Sequence, residues 1–397
     1  MNKDPEEFIS KEEFATRQSR GLAKRGDILF TTEAPMGYAA IVDEDVFSTG
    51  QRLITFQQYG KGETLNNRYF MFVILSPFFQ QQLVNHNTGV TVSGIKGERL
   101  KRFVIPVPPL AEQKRIVAKI EKLMPLVEEY GKMEETRLQL DADLPAMLEK
   151  SILQEAIQGK LVPQDPNDKP ASELLKRIAA ERKALVKAGK LKRDKGESAI
   201  FRGSDRLAYE TRNGETVCIQ DEIPFEIPES WEWVRLGEMS NYGQCTSVDT
   251  TDIAPDTWSL DLEEIEKGTG RLIERKTAAE KKSKSSKHVF TKGTLLYSKL
   301  RTYLNKVLVA DMDGVCTSEI VPIELNGGVN VEYVRLVLMS PYFLEYTASK
   351  GYGIKMPRVG TNDMKQSLIP LPPLDEQKRI VKRVEGLKGT ARTLVTF

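Results

Sequence analysis

The string IPVPPLAEQKRIV begins at Ile105, and IPLPPLDEQKRIV begins at Ile369. Extended to Leu123 and Leu387, the copies agree at 13 of 19 positions, 264 residues apart. Solenoid units recur every ~20–50 residues, so a repeat at this distance points to two large modules, each ending in the same structural element. The similarity runs back from this proline knuckle without a gap, pairing Tyr69 with Tyr333, Ser76-Pro77 with Ser340-Pro341, Phe79 with Phe343 and Gly89 with Gly353. Further back, GDILFTTEA from Gly26 resembles GTLLYSKLR from Gly293, and DVFSTGQRLITF resembles DGVCTSEIVPIE. Short apolar runs punctuated by Gly read as strands, and YVRLVLMSPYFLEYTAS reads as an amphipathic helix with a Ser-Pro interruption. Each module is therefore mixed α and β.

The copies differ in extent. IPESWEWVRLGEMSNYGQ, from Ile227, precedes GTLLY by roughly 65 residues, whereas only 25 residues precede GDILF. The expectation is a first module without its opening strands and a distal helix cut short. A length of 397 residues suits two domains with connectors. No apolar run reaches the ~18 residues of a membrane helix, and MNKDPEEFISKEEF does not read as a signal peptide. Cys218, Cys245 and Cys316 are odd in number and widely spaced, which argues against a disulfide framework and for a reducing cytoplasm.

Beyond the first knuckle, Pro106, Pro108 and Pro109 force extended backbone. Ile116, Ile120, Leu123, Val127 and Tyr130 then follow at spacings of 4, 3, 4 and 3, a heptad stripe suited to helix–helix packing. Ile380, Val384 and Leu387 form the corresponding stripe after the second knuckle. A helix from Ala111 to Ile157 would be about 70 Å long at ~1.5 Å per residue, with Pro125 and Pro145 expected to kink or break it. Pro163, Pro166 and Pro170 mark a turn region, Ser172 is a candidate N-cap, and residues 187–195 read as a basic linker.

Enzyme motifs are missing. The two histidines, His86 and His288, fall in different modules, so neither a Ser-His-Asp triad nor a multi-His metal site is expected. No phosphate-cradling G-x-x-x-x-G-K-[ST] loop exists. VPPL and LPPL resemble the Pro-Pro-Tyr motif of amino-methyltransferases only in outline, because Val107, Leu371, Leu110 and Leu374 replace its polar and aromatic residues. Pro255-Asp256 followed by Glu280-Lys281-Lys282 fits loosely a metal-dependent nuclease pattern. A stand-alone nuclease is accordingly the alternative function, although Glu280 sits in a polar lysine run without strand character. No catalytic or metal-binding residues are otherwise expected.

The net charge of +2 does not announce a nucleic-acid binder, so its distribution must. Between Arg271 and Lys306 lie eleven Lys/Arg and only two acids. The candidate DNA contacts there are Lys281, Lys282, Lys284, Lys287, Lys299, Arg301, Tyr303 and Lys306. Strand-like spacing would turn Lys299, Arg301 and Lys306 to one face. The Gly-rich loop GYGIKMPRVG adds Lys355 and Arg358, and the corresponding stretch of the first module offers Lys96, Arg99, Lys101 and Arg102. Lys and Arg beside Ser, Asn and Tyr supply phosphate contacts and some base-edge readers.

Taken together, the paired knuckles, GKLVPQDPNDKPASELLKRI, ETRNGETVCIQDEIPFEIPESWEWVRLGE and FTKGTLLYSKLRTYLNK resemble the specificity subunits of type I restriction–modification enzymes over almost the whole chain. The resemblance implies an α+β fold with two target-recognition domains, each followed by a conserved long helix. The helices pair as an antiparallel coiled coil that acts as a ruler. It divides the chain into a first recognition domain (1–109), a central helical region and linker (110–198), a second recognition domain (199–373) and a distal helix (374–397). It further implies a non-catalytic cytoplasmic DNA reader of a split site in defence against foreign DNA. The implied partners are double-stranded DNA, two methyltransferase subunits and restriction/translocase subunits, with no membrane. S-adenosylmethionine, ATP and Mg would sit on those partners and no cofactor on this chain.

Overall fold

The computed structural model describes residues 9–17, 23–44, 52–58, 64–86, 94–192, 198–281 and 285–394. They fall into two compact units, Met1–Leu138 and Gln139–Phe397. In the first, the strand Ile28–Thr31 lies between Ala39–Ile41 and Leu53–Phe56, both antiparallel to it. Ile28 and Phe30 turn into a core with Tyr69, Ile74, Phe79 and Leu83. These last four come from the helices Asn67–Leu75 and Pro77–His86.

The second unit repeats this plan more fully. The strand Leu295–Ser298 lies between Val307–Val309 and Ile320–Ile323, antiparallel to both. The helices Val331–Met339 and Pro341–Lys350 pack into the same core. A four-stranded sheet (Ser247–Val248, Lys287–Phe290, Gly314–Cys316, Ser259–Leu260) closes a separate cluster around Trp258, Phe290 and Cys316. The helix Ala171–Lys187 and the antiparallel strands Ser198–Arg202, Ala208–Arg212 and Glu215–Cys218 precede the strand Glu232–Arg235. That strand pairs antiparallel with Leu368–Leu371 at the second knuckle.

The knuckle is repeated because its residues carry out one structural task in both units. The Gln113 carbonyl oxygen accepts from the Asn66 N–H at 2.7 Å, and its amide donates to the carbonyls of Thr64 and Pro108. Gln377 accepts from the Asn330 N–H at 2.9 Å and donates to Pro372. Asn66 and Asn330 in turn cap the following helices by accepting from Tyr69 and Tyr333 N–H. The two tyrosine hydroxyls donate to the carbonyls of Pro106 and Pro370, at 3.0 and 2.8 Å. Ser76 and Ser340 are the interruptions seen in sequence, each accepting from the N–H three residues on.

Two local expectations are corrected. Of the kink or break expected at Pro125 and Pro145, the break does not occur, since one helix runs from Leu110 to Ile157. A proline there removes one ladder bond, and the carbonyls that lose it, on Glu121 and Asp141, belong to exposed residues that water can satisfy. Ser172 is not an N-cap. The helix Ala171–Lys187 starts two residues earlier than that cap requires, with Pro170 at the N-cap position, its ring presetting a φ of −60° without a side-chain capping bond.

The heptad stripe divides in the same way. Ile116 and Ile120 are half-buried, and Ile116 packs on the core of the first unit. Leu123 and Val127 are exposed. Ile380 and Val384 are fully buried in the core of the second unit, which also takes in Leu153, Ala156 and Ile157; Leu387 is half-buried. No helix among the described residues is long and apolar enough to cross a membrane.

Candidate nucleic-acid interface

The central strand of the second unit ends at Ser298, so Lys299, Arg301 and Lys306 do not share a strand face as their spacing suggested. The chain instead leaves the sheet and pairs with the Gly-rich loop. The Val359 N–H donates to the Lys299 carbonyl at 3.1 Å and the Arg301 N–H to the Pro357 carbonyl at 2.8 Å, with Leu300 opposite Arg358. Two basic segments more than fifty residues apart in sequence are thus stitched side by side.

The turn that follows is strained. Arg301 and Asn305 flank the 3-10 helix Thr302–Leu304, and both adopt a φ of +50°, a left-handed conformation costly for side-chain-bearing residues. The Arg301 Nε and Asn305 Oδ1 are buried without a hydrogen-bond partner. Unsatisfied buried groups in strained turns cluster at ligand-binding sites. Around them Tyr303 and Tyr352 are exposed, and Ile354 at the loop tip is 102% exposed. The tip turns at Gly353, whose φ of +95° suits glycine.

The cations in this region are not equally available. Among the described residues the side chains of Lys299 and Lys355 form no hydrogen bond or ion pair, though Lys299 contributes to lowering the Glu319 carboxyl. Arg358 is clamped by Glu319, with Nη2 to Oε1 at 2.8 Å and Nε to Oε2 at 3.1 Å. That hydrogen-bonded pair pushes the Glu319 carboxyl down and the Arg358 guanidinium up. Lys306 donates to the Leu262 carbonyl at 2.6 Å, and burial lowers its pKa.

Lys281 and Lys287 face inward, with side chains 7% and 5% exposed. Lys281 pairs with Glu264 and Asp261 at 2.5 and 3.1 Å, and Lys287 with Asp261 at 2.8 Å. Burial raises the Asp261 carboxyl, but the two lysines outweigh it and hold the group below its ordinary range. Arg271, Arg275 and Lys276 are likewise paired, with Glu266, Asp311 and Glu274. Lys282 and Lys284 lie outside the described residues. Five of the eleven cations of the run are thus held in ion pairs among the described residues, four of them by acids outside the run.

The first unit has the same stitch but different chemistry. The Ile95 N–H donates to the Thr32 carbonyl at 2.9 Å, and Glu33 lies opposite Gly94. Ala34, with φ +45°, stands where the second unit has Arg301. Thr32, Glu33 and Ala34 thus replace Lys299, Leu300 and Arg301. Of the basic candidates, Arg99 donates to the His86 carbonyl and Lys101 pairs with Glu98. Lys96 and Arg102 are exposed and have no side-chain partner among the described residues.

The nuclease pattern finds no matching geometry. Glu280 caps the short helix Ala278–Lys281 by accepting from the N–H and hydroxyl of Thr277, at 2.7 and 3.0 Å. Among the described residues no three His, Cys, Asp or Glu side chains are grouped to hold a metal ion.

Residues 1–133 and 228–393 match the family model for the type I restriction modification DNA specificity domain. The type I restriction enzyme EcoAI specificity subunit of Escherichia coli is 26% identical over 394 residues, covering 84% of this chain and 61% of that protein. The EcoEI specificity subunit, also from Escherichia coli, is 33% identical over 243 residues, covering 59% of this chain and 37% of its own length. The chain thus spans less than two thirds of either relative. The crystal structure of the HsdS subunit from Thermoanaerobacter tengcongensis is similar at 19% identity and a TM-score of 0.46, over 94% of this chain and 75% of that one.

Proposed function

Because the chain belongs to the type I restriction–modification DNA specificity family, we propose that it is a non-catalytic DNA-reading subunit that addresses a split site with its two units. The observation that carries the reading is the stitched loop pair of the second unit. It gathers in two paired segments Lys299 and Lys355, neither of them in an ion pair among the described residues, with Arg301 and two exposed tyrosines, Tyr303 and Tyr352. Lysine and arginine side chains supply the phosphate contacts that dominate affinity, while polar and apolar side chains read base edges. In the first unit, Lys96 and Arg102 are the corresponding phosphate contacts, and the bases are read by a less basic loop.

The four-part division at residues 109, 198 and 373 is retained as the functional one. The two long helices form the connecting element between the recognition domains. Leu123 and Val127, exposed on the central helix, are assigned to packing against partner subunits. Those partners are two methyltransferase subunits, carrying S-adenosylmethionine, and restriction/translocase subunits, carrying ATP and Mg. The setting is the cytoplasm.

A photo-crosslinking residue introduced at Tyr303 tests the assignment on mixed-sequence duplex DNA. Cross-linking at Tyr303, and none from the same residue at Phe201, which is exposed elsewhere in the second unit, is the expected result. DNA cross-links at Phe201 without any at Tyr303 contradict it.

A further inference from the structure

The Gly-rich loop of the second unit presents apolar side chains at its tip, where polar residues are the ordinary choice. Ile354 is fully exposed, and Tyr352 and Met356, two residues to either side, are 61% and 50% exposed. Single exposed hydrophobics are common on protein surfaces, but three at alternate positions of one loop form an apolar point of the kind that marks contact sites. Lys355 stands between Ile354 and Met356, and its side chain forms no hydrogen bond or ion pair among the described residues.

The tip is held out by its base. Gly351 lies opposite Val359 and Tyr352 opposite Arg358 in a short antiparallel ladder, and Leu300 flanks Arg358 as well. Both ends of the base are anchored. The Gly351 N–H donates to the Ala348 carbonyl at the end of the helix Pro341–Lys350, and Val359 is buried in the core. Glu319 clamps Arg358 in place. Pro357 restricts Met356 to extended backbone, and Gly353 supplies the positive φ of the turn. A tip braced in this way loses little freedom on binding, which favours a tight contact.

The surroundings decide the partner. The backbone bonds that brace the loop also set it against Lys299 and Arg301, so the apolar tip rises from a basic base. A hydrophobic groove in another protein would bury the Lys355 ammonium without a counter-charge, which is costly. A duplex instead offers phosphates to Lys355 and stacked base faces to Ile354 in one approach. Apolar side chains such as Ile and Met enter base steps of bound DNA and partly unstack them. We propose that Ile354, flanked by Met356, is a wedge that enters a base step of the duplex and opens its stacking. Pyrimidine–purine steps are favoured because they unstack most easily. The wedge rests on the DNA-reading assignment and adds to it a sequence preference that needs no hydrogen bond to a base edge.

Opening a step untwists the duplex, so the test reads the linking number of closed-circular plasmid relaxed by topoisomerase I in the presence of the full chain. Bound protein is measured on the same plasmid. The wild type should lower the linking number in proportion to the protein bound. Ile354→Ala, an exposed change that leaves the fold intact, should lower it at least threefold less per bound molecule, and Ile354→Leu should restore the effect. Binding by the wild type without any change in linking number overturns the wedge and leaves the DNA-reading assignment standing, whereas absence of binding overturns both. An equal change per bound molecule with Ile354→Ala also overturns the wedge. Self-association of the chain, lost in Ile354→Ala with the linking number unaffected, would overturn it by assigning the tip to a second copy.

Discussion

Glu210 shows how far an individual residue's role lies beyond sequence reading. Its carboxylate meets Arg235 at 2.9 Å and Arg212 at 2.8 Å and also accepts from the Ser198 hydroxyl. Burial raises its pKa, but these donors outweigh burial and bring it down to about 2. A carboxyl depressed in the folded state stabilises above its unfolded pKa, and the contribution disappears as pH falls through the folded value. Near neutrality it amounts to roughly 3 kcal/mol, lost between about pH 4.5 and 2. Glu210→Gln should therefore lower the stability of the second unit at pH 7 and flatten its acid limb, measured by urea unfolding as a function of pH. An unchanged acid limb would show that other groups set it. The lysines give the complementary lesson. Lys281 and Lys287 looked like DNA contacts because their partners, Asp261 and Glu264, lie some twenty residues back, invisible to a count of local charge. Lys299 and Lys355 looked no different in sequence and form no ion pair among the described residues.

At the level of elements, the strands and the Ser-Pro helix pairs were legible because their apolar periods and capping residues are local. The knuckle was legible only as a repetition. Its purpose, a glutamine bridging a helix N-cap and a proline carbonyl, joins residues 47 apart in each unit and needs the fold to be seen. Gln377→Ala leaves the part-buried Asn330 N–H and the buried Pro372 carbonyl without this partner, a loss of about 2–4 kcal/mol. The expected signature is faster hydrogen exchange at Asn330 and Tyr333, with the Phe290 amide in its separate sheet unaffected. Uniformly faster exchange across the unit would mean that Gln377 acts on global folding and not on this joint. The Lys299–Arg301 segment was misread as strand because its alternation continues that of Leu295–Ser298. The left-handed turn at Arg301 carries no sequence mark, since the residue in it is not glycine.

For the whole molecule, the repeat gave the two-unit plan and the resemblance gave the family, whereas the near-neutral charge gave no guide to where DNA would bind. That location depends on which cations the fold leaves unpaired. The most direct measurement is the equilibrium affinity of the full chain for duplex DNA over a range of salt, with and without Lys299→Ala and Lys355→Ala together. Each phosphate contact contributes about 0.9 to the slope of log affinity against log salt. The double variant should therefore bind more weakly with a slope shallower by about two units, while Lys281→Ala, whose ammonium is held internally, should leave the slope unchanged. A slope that stays the same in the double variant and drops in Lys281→Ala would contradict the placement of the DNA-reading face at the stitched loops.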